Sequence, residues 1–165
     1  VFRLAPDIKT DISYSTAKGY DDHDYAPSTY FSEGLLPVYR EIAGEKFFGY
    51  LDRTGKIAIP FQFANAAPFF DGLAGVVVKE KDKTFNAYIN PKGEIVLRNT
   101  AGIAPFYNGL AFHFLKLWTI HQTPRERNIY GYMNKQGKYV WLSPRAETHL
   151  DKNWIKENFI GAKQN

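Results

Sequence analysis

The 165-residue sequence contains no cysteine. That absence excludes a disulfide scaffold, a Cys-ligated zinc or iron–sulfur site, and any thiol nucleophile. No stretch approaches the roughly eighteen consecutive apolar residues that a membrane-spanning helix needs. Charge of one sign is also scarce, because 21 basic and 17 acidic side chains leave a net +4. The lysines and arginines are scattered and form no stripe, which argues against nucleic acid as the partner.

What the sequence does have is rings: 13 Phe, 11 Tyr and 3 Trp make up 16% of it. Hydrophobic residues at 44% against 23% charged place the chain among globular proteins rather than disordered ones. The length suits one domain with a sizeable core. The first residue is Val1 and not Met, which suggests a processed or trimmed form, in which a removed signal peptide would be invisible.

The rings recur in register. Phe31-Ser32-Glu33-Gly34-Leu35, Phe69-Phe70-Asp71-Gly72-Leu73 and Phe106-Tyr107-Asn108-Gly109-Leu110 share one pattern, with glycine spacings of 38 and 37 residues. Eight residues before each glycine stands an alanine: Ala26, Ala64 and Ala101. A second block comes after each, as Gly49-Tyr50-Leu51-Asp52-Arg53-Thr54-Gly55, Ala87-Tyr88-Ile89-Asn90-Pro91-Lys92-Gly93 and Gly131-Tyr132-Met133-Asn134-Lys135-Gln136-Gly137. From the leucine of the first block to the tyrosine of the second takes 15, 15 and 22 steps, so the third copy carries a seven-residue insertion.

The second block reads as a hairpin. Asp or Asn followed three residues later by Gly suits a type I turn closed by a glycine at positive φ, with the Asp or Asn side chain bonding the turn backbone. The flanks, Phe48 and Tyr50 before the turn and Ile57 and Ile59 after it, are β-prone. Leu73 to Val78 reads as a further strand. The expected fold is therefore all-β: three repeated three-stranded antiparallel units over residues 26–142, about nine strands in all. A propeller-like ring and a solenoid-like stack remain equally open.

The two ends differ from the middle. Residues 1–25 show no clean periodicity, although Tyr25-Ala26 matches Phe63-Ala64, so this end is expected to supply part of a first unit. Within 143–165, Leu150, Trp154, Ile155 and Phe159 fall at helical spacing and Thr148 with Asp151 resembles a capping box. The spacing predicts an amphipathic helix over 148–160, stopped at Gly161, that covers the exposed apolar face of the last unit.

The repeated pattern resembles the bacterial WG repeat, also called the KWG repeat, over about residues 25–142. The match runs best through Phe48-Gly49-Tyr50-Leu51-Asp52-Arg53-Thr54-Gly55-Lys56-Ile57-Ala58-Ile59-Pro60. The naming Trp is replaced by Phe48, Asn86 and Tyr130, and its Gly by Ala87 in the second copy. The resemblance implies an all-β array, common in exported and surface proteins, with no catalytic residues to carry over. It favours a periplasmic or cell-surface location over a cytoplasmic one.

Candidate chemistry is thin. Asp21-Asp22-His23-Asp24 reads as a solvated turn rather than a metal site, because consecutive residues point apart and no EF-hand or His-Glu-x-x-His spacing is present. No Gly-x-Ser-x-Gly elbow exists, and neither His113 nor His121 has a partner fixed by spacing. No catalytic residue, metal or cofactor is expected, and the chain is not read as an enzyme; a hydrolase with scattered carboxylates ranks last.

Binding remains. Phe31, Phe69 and Phe106, with Tyr50, Tyr88 and Tyr132, are expected in the core, because positions used three times over are those that stack units together. Phe70, Tyr107, Tyr30 and Tyr39 are the better candidates for an exposed patch. Insertions in repeat proteins lie on one face, often the binding face. The insertion supplies Trp118, His121, Arg125 and Arg127, of which the Trp and Arg types are common at protein-interface hot spots. The first reading is thus a non-catalytic module that recognises another protein through its loops, with Trp118, His121, Arg125, Arg127, Tyr107 and Tyr39 as its residues. The alternative is a cell-wall or polysaccharide-binding module that uses exposed rings, which would require two or three of them coplanar on one face.

Overall fold

The computed structural model describes residues 4–10, 30–116 and 128–160. These fold into three antiparallel sheets. The first holds β1 (Leu35–Ile42), β2 (Glu45–Asp52) and β3 (Ile57–Phe63). The second holds β4 (Asn65–Ala66), β5 (Ala74–Glu80), β6 (Lys83–Ile89) and β7 (Ile95–Arg98). The third holds β8 (Phe106–Tyr107), β9 (Leu110–Lys116), β10 (Asn128–Asn134) and β11 (Tyr139–Leu142). The described sheets close into no barrel. The two strands beyond the expected nine are β4 and β8, two residues each.

The second-block turns form as their sequence dictates. Asp52, Asn90 and Asn134 each accept a backbone bond from the glycine three residues on, at 3.0, 2.9 and 3.0 Å. The side-chain oxygen of each takes two more N–H groups of its own turn. The glycines sit at φ 85°, 82° and 76°, where a side chain would be strained. The first-block turns are tighter. Glu33-Gly34, Asp71-Gly72 and Asn108-Gly109 all have positive φ at both positions, the mirror-image turn that joins two strands through two residues.

Tyr25-Ala26, expected to supply part of a first unit, lie outside the described residues; what the described N-terminal segment adds to the first sheet is a single bridge. Lys9 pairs with Tyr39 through two backbone bonds of 2.9 and 2.8 Å. Ile8 and Leu4 pack on Leu36, Val38 and Leu51, the outer side of that sheet.

The core lies between consecutive sheets. Phe48, Tyr50, Ile59 and Phe63 of the first meet Ala66, Phe69, Val76 and Ile89 of the second. Tyr88 and Leu97 of the second meet Phe106, Ala111, Leu115 and Met133 of the third. The central strands β2 and β6 are therefore buried on both faces at their turn ends, with Phe48 to Leu51 and Ala87 to Ile89 covered without interruption. β10 instead alternates, with Ile129, Gly131 and Met133 buried and Tyr132 exposed.

The C-terminal helix departs from the expectation twice. It is split: α1 (Ala146–His149) ends at an extended Leu150, and α2 (Lys152–Asn158) begins anew. Asp151 alone is the cap, accepting the N–H groups of Asn153 and Trp154, while Thr148 Oγ1 turns back to the Arg145 carbonyl. It also packs on the inner side of the third sheet. Leu150, Trp154 and Phe159 join the cluster of Ile129, Met133 and Tyr139, and Ile160 N–H bonds the Tyr139 carbonyl beside β11. Side chains one residue along each strand point to the outer side of the third sheet, on which no sheet or helix lies among the described residues.

Candidate functional site

The open face is built from one row of residues that runs across the third sheet. Phe112 of β9, Tyr132 of β10 and Trp141 of β11 are direct cross-strand partners. In the first sheet the same row is Pro37, Tyr50 and Ile59, and in the second it is Gly75, Tyr88 and Leu97. Tyr50 and Tyr88 are completely buried, whereas Tyr132 is 41% and Trp141 42% exposed. The expectation that Tyr132 is core is thus corrected: no sheet lies on its side of β10 among the described residues.

Tyr130 and Phe114 extend the patch. Phe112 lies 5.5 Å from Tyr130 and 5.3 Å from Tyr132, and Trp141 lies 5.7 and 5.9 Å from the same two rings. Rings at these separations attract one another in tilted and edge-to-face arrangements. The interplanar angles are 40° for Tyr130–Trp141 and 55° for Tyr132–Trp141. The rings are tilted and form no flat platform.

The residues expected to bind fall elsewhere. Trp118, His121, Arg125 and Arg127 lie outside the described residues, as does the Asp21 to Asp24 cluster. Tyr107 is 58% exposed and packs its ring on Phe70 at 5.3 Å. Tyr39 is half-buried, 5.4 Å from Phe48, with the Lys46 ammonium over its face. Tyr107 and Tyr39 are not part of the ring cluster on the third sheet. Phe31 is half-buried beside the residues 4–10 segment.

Two other features carry chemistry. His113 is buried between the second and third sheets. Tyr88 donates its hydroxyl proton to the Ala104 carbonyl at 2.6 Å, so toward His113 Nε2, 2.8 Å away, it accepts. Nε2 then carries the ring proton, and Nδ1 accepts from the Tyr139 hydroxyl at 3.0 Å. The ring is satisfied in its neutral form, and burial pushes its pKa down to about 4. Burial likewise raises the Tyr139 phenol. The three side chains bridge the second and third sheets.

The second feature is an open groove of about 580 Å³ between β7, the third sheet and α2, lined by Leu97, Thr100, Leu115, Met133 and Trp154 among others. Thr100, which lines it, donates its backbone N–H to the Asn86 carbonyl at 3.2 Å, where the first sheet has the Phe48–Phe63 cross-strand pair. Among the described residues its one carboxylate, Asp151, caps α2. Among the described residues no group of three or more His, Asp or Glu could hold a metal ion. No described helix is long and apolar enough to cross a membrane.

Residues 48–81 match the family model described as the WG containing repeat. That span begins in β2 and ends after β5, so it includes both Tyr50 and the Phe69 on which it packs. No curated protein and no solved structure matches the chain.

Proposed function

We propose that this chain, which belongs to the family built on the WG containing repeat, is a non-catalytic module that binds another protein. In this reading the three sheets are three copies of one unit stacked in sequence order. The observation that carries it is the outer face of the third sheet, where Tyr132 and Trp141 stand exposed beside Tyr130 and Phe112. Clusters of Tyr and Trp on an otherwise polar surface are typical anchors for a protein partner. The tilts of 40° and 55° between these rings favour that partner over a sugar, whose flat faces call for coplanar rings.

The test is retention. The immobilised chain and its Tyr132→Ser/Trp141→Ser double variant are exposed to the same lysate of source cells. The proposal expects partners held by the wild type to be lost at least about tenfold from the variant, at unchanged melting temperature. Equal retention by both would sink it.

A further inference from the structure

Three sets of contacts join each sheet to the next, and each set ends on the outer face of the third. Tyr50 packs on Phe69 at 5.0 Å and donates to the Ala67 carbonyl at 2.7 Å; Tyr88 does the same to Phe106 at 4.9 Å and Ala104 at 2.6 Å. The third member is Tyr132. Ile59 lies against Gly93, and Leu97 against Gly137, so closely that a Cβ on either glycine would meet it at 2.9 and 3.1 Å. The third member is Trp141. The Glu33 carboxylate accepts the Gly72 N–H at 3.0 Å, and Asp71 accepts the Gly109 N–H at 2.5 Å. The third member is Asn108, at the same positive φ as Glu33 and Asp71.

Resting on the reading that this face binds protein, we infer that it is the seat for a further repeat carried by another polypeptide. That repeat presents a Phe-x-x-Gly-Leu turn: its Phe meets Tyr132, its turn N–H meets Asn108, and its hairpin glycine meets Trp141. The face is continuous with the two interfaces inside the molecule and asks for the same three groups.

The row also sets a size rule. Where the second sheet has Gly75, the incoming Ile103 comes within 2.5 Å of where a Cβ would be. Phe112 stands in that place on the open face. In the first sheet that place holds Pro37, which has a Cβ, and the residue three before the incoming Phe69 is Ala66. The incoming chain must therefore take the path seen there, with a small residue at that position. It cannot take that of Ile103, whose carbonyl oxygen alone would meet a Cβ at 2.5 Å. A second copy of this chain is a poorer occupant, because the face beside its own Phe31 turn is covered by Leu4 and Ile8.

The experiment titrates the isotope-labelled full chain with a synthetic peptide of residues 64–80, monitored by nuclear magnetic resonance. The expected result is saturable shifts centred on Tyr132 and Asn108, the two residues whose partners, Phe69 and the Gly72 N–H, the peptide carries. Affinity should fall about tenfold or more with Phe69→Ala or Ala66→Ile in the peptide, and with Tyr132→Ala in the protein. No saturable shift at millimolar peptide, or shifts centred elsewhere, would overturn the inference. So would sedimentation showing self-association that depends on Tyr132, since the occupant would then be a second copy. The wider protein-binding reading fails separately, if the double variant keeps its partners.

Discussion

Tyr50 and Tyr132 occupy the same place in the first and third sheets, yet Tyr50 is fully enclosed and Tyr132 is 41% exposed. The difference lies in the layer stacked on each ring. Tyr50 has Phe69 and the Ala67 carbonyl over it, whereas the chain after β11 turns to the other side of its sheet as α1 and α2.

This asymmetry should appear in stability. Tyr88→Ala removes a buried ring and strips partners from the Ala104 carbonyl and His113, so it should cost about 3–5 kcal/mol. Tyr132→Ala should cost no more than about 1 kcal/mol. Urea unfolding of the two variants compares them directly.

Gly75 is fixed by close approach and not by conformation. An added Cβ would sit 2.5 Å from both the Cβ and the carbonyl oxygen of Ile103. Because one clash is with backbone, trimming Ile103 cannot relieve it. Gly75→Ala should cost about 2–3 kcal/mol, with Ile103→Ala failing to rescue it. Gly34→Ala, with open space around it but φ +84°, should cost about 1 kcal/mol. The urea midpoints rank the three.

Acid should weaken the fold in two stages. His113 has an ordinary pKa of 6.5 unfolded and about 4 folded, so the unfolded chain takes up the proton first as pH falls. The neutral ring's stabilisation is complete above pH 6.5 and is lost progressively down to about pH 4. The loss is on the order of 3 kcal/mol. Asp52, bonded by Thr54, and Asp71, bonded by Lys135 and the Gly109 N–H, have lowered pKa values, so the stability they give is complete above the ordinary carboxylate range and is lost only as pH falls below it. Replacing His113 with Gln should flatten the upper stage and leave the lower one, as read from unfolding free energies between pH 3 and 8.

The hairpin turns need an oxygen at their first position. Asn134→Asp should be tolerated, because the same oxygen can accept from Gln136 and Lys138, as Asp52 does from Thr54 and Lys56. Asn134→Ala should cost about 1–2 kcal/mol in the same unfolding assay.

The turns and strands are legible in the sequence because each is a local event: an Asp or Asn, a glycine three residues on, and alternating apolar flanks. Asp71-Gly72 and Asn108-Gly109 also carry their mirror-image turn in plain view. The open face is not legible. Tyr132 shares its column with two buried tyrosines, and no property of a residue says whether another layer lies above it. The helix has the right spacing, but which side of a sheet it covers is a tertiary matter, decided by Tyr139 and Met133. His113 reads as structural from sequence, but its bridge joins residues 25 and 26 positions away through space. The groove is lined by residues of β7, β9, β10 and α2, which no sequence spacing brings together.

If the outer side of the third sheet is the binding surface, a partner must cover Tyr132 and Trp141. Hydroxyl-radical footprinting of the free chain against its isolated complex with a captured partner tests this most directly. Tyr132 and Trp141 should react readily in the free chain and become protected in the complex, with Tyr50 and Tyr88 unreactive in both. Protection confined to the turn between β5 and β6 or to the groove at Trp154, with Tyr132 and Trp141 still reactive, would contradict it.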